Sequence, residues 1–92
     1  MKYLKVSHKL STIVDGVKEG RYVTKHVYLV NIKFITDKEM NFYVPSFALS
    51  RFESYLSESK IFRLAYLDTE DVIINPNTII AVLLEKKEID NG

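Results

Sequence analysis

Between Tyr28 and Val44 the chain runs through one pattern twice, and it is the pattern of a β-strand. Tyr28, Val30, Ile32 and Phe34 fall on alternate positions with Asn31 and Lys33 between them. After the polar turn Thr36-Asp37-Lys38-Glu39, Met40, Phe42 and Val44 alternate with Asn41 and Tyr43. Successive side chains of a strand point to opposite faces, so each segment presents one apolar face that must be covered. A sheet with a buried face is the first requirement on the fold.

The cover has to come from the chain itself. There is no cysteine, so no disulfide framework, thiolate nucleophile or cysteine-ligated zinc can form, and a reducing interior is the expected setting. Hydrophobic residues make up 47% and charged residues 27% of the 92, ordinary globular proportions that leave enough apolar surface for one core and too little length for two. The reading is a single domain over residues 1–92.

The flanking segments are read in the same way. From Lys2 to Val14, Leu4, Val6, His8 and Leu10 share one parity while Lys5, Ser7, Lys9 and Ser11 share the other, which predicts a strand. Asp15-Gly16 and Gly20 bracket a turn, making a hairpin. Tyr22 to Ile35 reads as a long bent strand, or two, with a break near Thr24 to His26. Pro45 ends the next strand and Ser46 is placed to cap a helix over about Phe47 to Ser57, with Leu49, Phe52, Tyr55 and Leu56 on its inner face. Ile61 to Leu67 and Val72 to Ile74 are strands, and Asn75-Pro76-Asn77 is a turn. Thr78 to Leu84 is apolar on both parities, as for a strand covered on both faces or lying at a subunit contact; residues 85–92 are charged and expected to fray. The fold class is α+β, mostly β: a small, partly closed β-barrel of five to six strands with one helix, in the order β-β-β-α-β-β.

Several chemistries lack their residues. Only Gly16, Gly20 and Gly92 occur, and no glycine-rich phosphate loop can be written. His8 and His26 have neither the i, i+4 partner nor the glutamate of a helical zinc site; His8 reads as half-buried packing. No serine stands with a base and an orienting acid, and Asp68, Glu70 and Asp71 form an acidic cluster in a turn, whose catalytic version would be a Mg²⁺ site on Asp68 and Asp71. The expectation is a non-catalytic protein with no cofactor and no metal.

Charge is what remains. Residues 1–33 hold seven basic side chains against two acids, and the remaining residues hold six against ten, so a net of +5 precedes a net of −4. Basic residues mixed with aromatics are what single-stranded nucleic acid uses: cations neutralise phosphates and aromatic faces stack on bases. The candidate site is Lys5, Lys9, Arg21 and Lys25 on phosphates, with Tyr3, Tyr22 and Tyr28 as stacking groups. The expected partner is RNA or single-stranded DNA. The rival is a protein-interaction module or homodimer that uses Thr78 to Leu84 or a strand edge, such as an inhibitor or accessory protein. Short length with abundant lysine and isoleucine suits a phage or plasmid gene. The opening residues break their apolar positions with lysines, and no run reaches the roughly 20 apolar residues of a membrane span, so no membrane association and a cytoplasmic location are expected.

Two resemblances accompany this reading. The order of three strands, a helix and two strands is similar to that of the OB-fold, which implies an open barrel face for oligonucleotides or oligosaccharides; PUA-like RNA-binding barrels share the size and composition. The stretch Ala48-Leu49-Ser50-Arg51-Phe52-Glu53-Ser54-Tyr55-Leu56, then Ile61-Phe62-Arg63 and Ile74-Asn75-Pro76-Asn77-Thr78-Ile79, resembles the helix, strand and asparagine turn of LytTR-type DNA-binding domains. It departs from them where a basic segment is expected and Asp68, Glu70 and Asp71 stand instead.

Overall fold

The computed structural model describes residues 2–89. Two three-stranded sheets face each other across one core. In the first, β1 (Tyr3–Val6) runs parallel to β4 (Phe62–Tyr66), and β5 (Val72–Ile74) pairs antiparallel on the far side of β4. In the second, β2 (His26–Phe34) lies between β3 (Glu39–Pro45) and β6 (Ile79–Glu88), all antiparallel. The alternation read from the sequence sets this sandwich: Val30, Ile32, Phe42 and Val44 of one sheet and Leu4, Val6, Phe62 and Leu64 of the other are all buried between them.

Helix α2 (Leu49–Glu58) follows a single 3-10 turn at Ser46–Ala48 and drives Phe52 into the core. Its ring meets Phe42 edge-on at 5.9 Å and Phe62 at 6.2 Å, so one side chain ties both sheets to the helix. Burial of such a ring contributes roughly 1.5–3 kcal/mol.

The sandwich has one closed side. Beyond β1, the Ser7 amide donates to the Tyr43 carbonyl at 3.1 Å and the Tyr43 amide donates back to Ser7 at 2.7 Å, stitching the first sheet to β3 of the second. On the other side β5 and β6 are both edge strands and do not pair with each other. Two open sheets joined at one seam are not a barrel, and the expected barrel closure is corrected accordingly. The OB-like element order fails with it.

The reason lies in α1 (Leu10–Lys18), which replaces the expected hairpin. Leu10, Ile13, Val14 and Val17 recur at i, i+3, i+4 and i+7; the two-residue period holds only as far as Val6, and this helical period takes over from Leu10. Ile13 seats with Val27 and Ile89 in a second small core behind β2. The described residues therefore form two α-helices, not one.

Three smaller expectations also change. Ser46 does not cap α2, whose first residue is preceded by Ala48 with no side-chain cap; the Ser46 hydroxyl is used elsewhere. Residues Glu85–Glu88 do not fray but complete β6 against His26–Leu29, and Ile89 is buried; the tail beyond residue 89 lies outside the described residues. Thr78 to Leu84 is not covered on both faces, since Ile80, Leu83 and Leu84 are 61%, 59% and 46% exposed. No helix among the described residues is long and apolar enough to cross a membrane.

Candidate functional site

Strand β1 buries Leu4 and Val6 and so turns Tyr3 and Lys5 outward. What they face is built by the end of α1. The Glu19 amide closes the helix on the Asp15 carbonyl at 2.9 Å, and Gly20 then takes φ +78°, a left-handed conformation in which other residues are strained. The chain doubles back: the Arg21 amide donates to the Gly16 carbonyl at 2.8 Å, and the Tyr22 ring lies on Gly16, where a Cβ would overlap it. Glycine in mid-helix, read from sequence as a turn, is the seat of an aromatic ring.

A hydroxyl pair holds the opposite wall. Thr24, buried, donates to the His26 carbonyl at 2.7 Å, which leaves Ser46 to donate to the Thr24 hydroxyl at 2.6 Å. The segment after α1 is thus pinned to the residues that open α2. Phe47 stands next to Ser46, its ring 6.1 Å from that of Tyr22, and Arg51 is one helical turn further on.

Tyr3, Lys5, Arg21, Tyr22, Phe47 and Arg51 enclose a hollow of about 300 Å³, floored by Pro45, Ala48 and Leu67. A second hollow of about 240 Å³ adjoins it, sharing Arg21, Tyr22 and Leu67 and adding Thr12. Both are lined without any acidic residue. Arg21 reaches Glu19 at 2.9 Å outside the lining, while Lys5 and Arg51 have no ion-pair partner among the described residues. Three cations around an acid-free concavity concentrate positive potential in it.

Of the seven residues singled out by sequence, Tyr3, Lys5, Arg21 and Tyr22 meet here. Lys9 sits at the start of α1, its amide donating to the Ser7 hydroxyl at 3.1 Å; Lys25 accepts from the Ile89 amide at 3.2 Å through its carbonyl; neither lines the hollow. Tyr28 is half-buried against the main core, edge-on to His26 at 5.3 Å. Phe47, Arg51 and Leu67 were missed. Arg51 is exposed on α2, away from the inner face of Leu49, Phe52, Tyr55 and Leu56, and only the return of β1 beside it makes it part of a site.

A second polar cluster borders this region. His8 stacks on Tyr66 with ring centroids 3.9 Å apart and planes 2° from parallel, and its Nδ1 lies 3.4 Å from Asp68 Oδ1 and 3.3 Å from the Thr69 hydroxyl. His8 is exposed rather than half-buried, because the strand that would have carried it inward ends at Val6. Burial works against ionisation of Asp68, but the amides of His8 and of Asp68 itself, with the His8 ring, outweigh it and hold its carboxyl below the usual value. Ser7, His8 and Asp68 are the residue types of a serine hydrolase in the wrong arrangement: the Ser7 hydroxyl is fully buried and donates to the Lys9 carbonyl at 2.9 Å, not to an imidazole. Asp71 is turned away from Asp68 toward Arg63, at 3.8 Å.

No protein-family model, no curated protein and no solved structure matches this chain.

Proposed function

We propose that the protein is a non-catalytic module that binds single-stranded nucleic acid, RNA or DNA, in the hollow between β1, the end of α1 and the start of α2. Lys5, Arg21 and Arg51 neutralise phosphates, and Tyr3, Tyr22 and Phe47 offer ring faces to unstacked bases. The observation that carries this reading is convergence: three cations and three aromatic rings arrive from separate chain segments at one acid-free concavity. A hollow at the lower end of the roughly 300–1,000 Å³ range of small-ligand sites admits a splayed base and not a duplex.

Fluorescence anisotropy of labelled single-stranded RNA and DNA, at low and moderate salt, tests it. Binding should weaken with salt, and Lys5→Gln and Arg51→Gln should each lower the slope of log K against log salt by about 0.7. Absence of binding at low salt, or variants with the affinity and slope of the native chain, would overturn the reading.

A second reading is favoured by β6, an edge strand paired on one side only, whose Ile80, Leu83 and Leu84 are exposed. Such an edge is a template for another strand, and a second copy of the chain could extend the sheet there. Sedimentation equilibrium at high concentration decides this: a monomeric mass removes the homodimer.

A further inference from the structure

We infer that the groove takes two successive nucleotides, with Arg21 on the phosphate that joins them; this rests on the nucleic-acid reading and adds a register to it. The two hollows are neighbours that share one wall, and the wall consists of Arg21, Tyr22 and Leu67. Tyr22 is held in place by the absence of a side chain at Gly16 on one side and by Phe47 on the other, so it divides the groove as a fixed partition. A partition between two compartments is where a chain of stacked groups must cross from one to the next.

The compartments differ in chemistry. The larger holds Tyr3, Phe47, Lys5 and Arg51, which suits a base together with its flanking phosphate. The smaller adds only Thr12 to the shared wall, so it offers a base Tyr22 and Leu67 to lie against and no further cation. Arg21 is the one cation common to both. Its guanidinium can donate two parallel hydrogen bonds to one phosphate, and a phosphate crossing the partition is the one it reaches. The smaller hollow is lined by Thr12, Arg21, Tyr22 and Leu67, and the proposed register ends there, with no compartment assigned to a third nucleotide.

Calorimetric titration of the full chain at low salt with uridine 5′-monophosphate, pUpU and pUpUpU, and with the thymidylate counterparts, reads the register directly. In the series that binds, the dinucleotide should be about tenfold tighter than the mononucleotide, the gain of one stacked base, and the trinucleotide should lie within about twofold of the dinucleotide. Thr12→Trp, which fills the smaller hollow from the helix side, should bring dinucleotide affinity to within about twofold of that for the mononucleotide, with far-ultraviolet circular dichroism and urea stability reporting an intact fold. Thr12→Gln, less bulky, should remove part of the step. Equal affinity for mono- and dinucleotide, a third step as large as the second, or a step that survives Thr12→Trp would overturn the inference. If a long oligouridylate or oligothymidylate still binds through Arg21 and Arg51 in any of those cases, only the register is wrong; if no probe binds, the nucleic-acid reading falls as well.

Discussion

The ring of Tyr22 lies on Gly16, in the space that a β-carbon would occupy. An alanine in a helix interior is ordinarily worth roughly 0.5–1 kcal/mol over glycine, and here that gain is opposed by the ring. Gly16→Ala should therefore leave urea stability close to native while displacing Tyr22 and weakening single-strand binding about tenfold. In a Tyr22→Ala background the same change should stabilise by roughly 0.5–1 kcal/mol. Equal effects in the two backgrounds would show that the two residues do not compete for space.

Glu19 occupies Arg21 in the free protein, at 2.9 Å and with both side chains more than half exposed. An exposed pair contributes no more than about 1 kcal/mol, so its loss should hardly affect folding. Glu19→Gln releases the guanidinium and removes a carboxylate from the rim. Affinity for single-stranded RNA or DNA should rise about two- to fivefold at low salt, measured by anisotropy; a fall would mean that Glu19 orients Arg21 instead of competing for it.

The hydroxyl of Ser7 accepts from the Lys9 amide and donates to the Lys9 carbonyl, all beneath the seam that joins the sheets. Ser7→Ala leaves these groups without their partner and should cost about 1–3 kcal/mol in denaturant titration. A loss below about 0.5 kcal/mol would show that water replaces the hydroxyl there.

Burial, with the charge of Asp68 added, pushes the Tyr66 phenol up from 10.0 to about 12, and its hydroxyl is buried with no hydrogen-bond partner among the described residues. The folded state holds this proton more tightly than the unfolded chain does. Stability is therefore unaffected below about pH 10 and declines as the pH rises through the interval to about 12. Tyr66→Phe should flatten that alkaline decline and leave neutral-pH stability unchanged or raised by up to about 1 kcal/mol. An alkaline profile identical to the native one would assign the decline to other groups.

Strands β2 to β5 were legible because a half-buried strand writes its burial into alternate letters, as Val30, Ile32, Phe42 and Val44 do. Helix α1 was not, because Leu4, Val6, His8 and Leu10 keep one parity across the point where the chain changes conformation, and because Gly16 in a helix looks like a breaker until Tyr22 is placed on it. The end of β6 was hidden for a different reason: Glu85, Lys86 and Glu88 can stay solvated on an edge strand, so charge there carries no information about pairing. In the candidate site, Tyr3, Lys5, Arg21 and Tyr22 stood out by composition. Leu67 joins them through the pairing of β1 with β4, and Phe47 and Arg51 through the Thr24–Ser46 hydroxyl pair that pins the start of α2 beside Tyr22, long-range relationships that local patterns cannot express.

That same pairing governs when the groove can exist at all. Tyr3 is opposite Arg63 and Val6 opposite Tyr66, so the first strand has no partner until synthesis has passed the second helix. Contacts of such wide sequence separation carry a large loop-closure cost and slow folding. Tyr3 and Lys5 on one side and Leu67 on the other become a binding surface only once β1 has paired with β4, which makes ligand binding a report on that pairing: a chain without it has the charges of the groove without its shape.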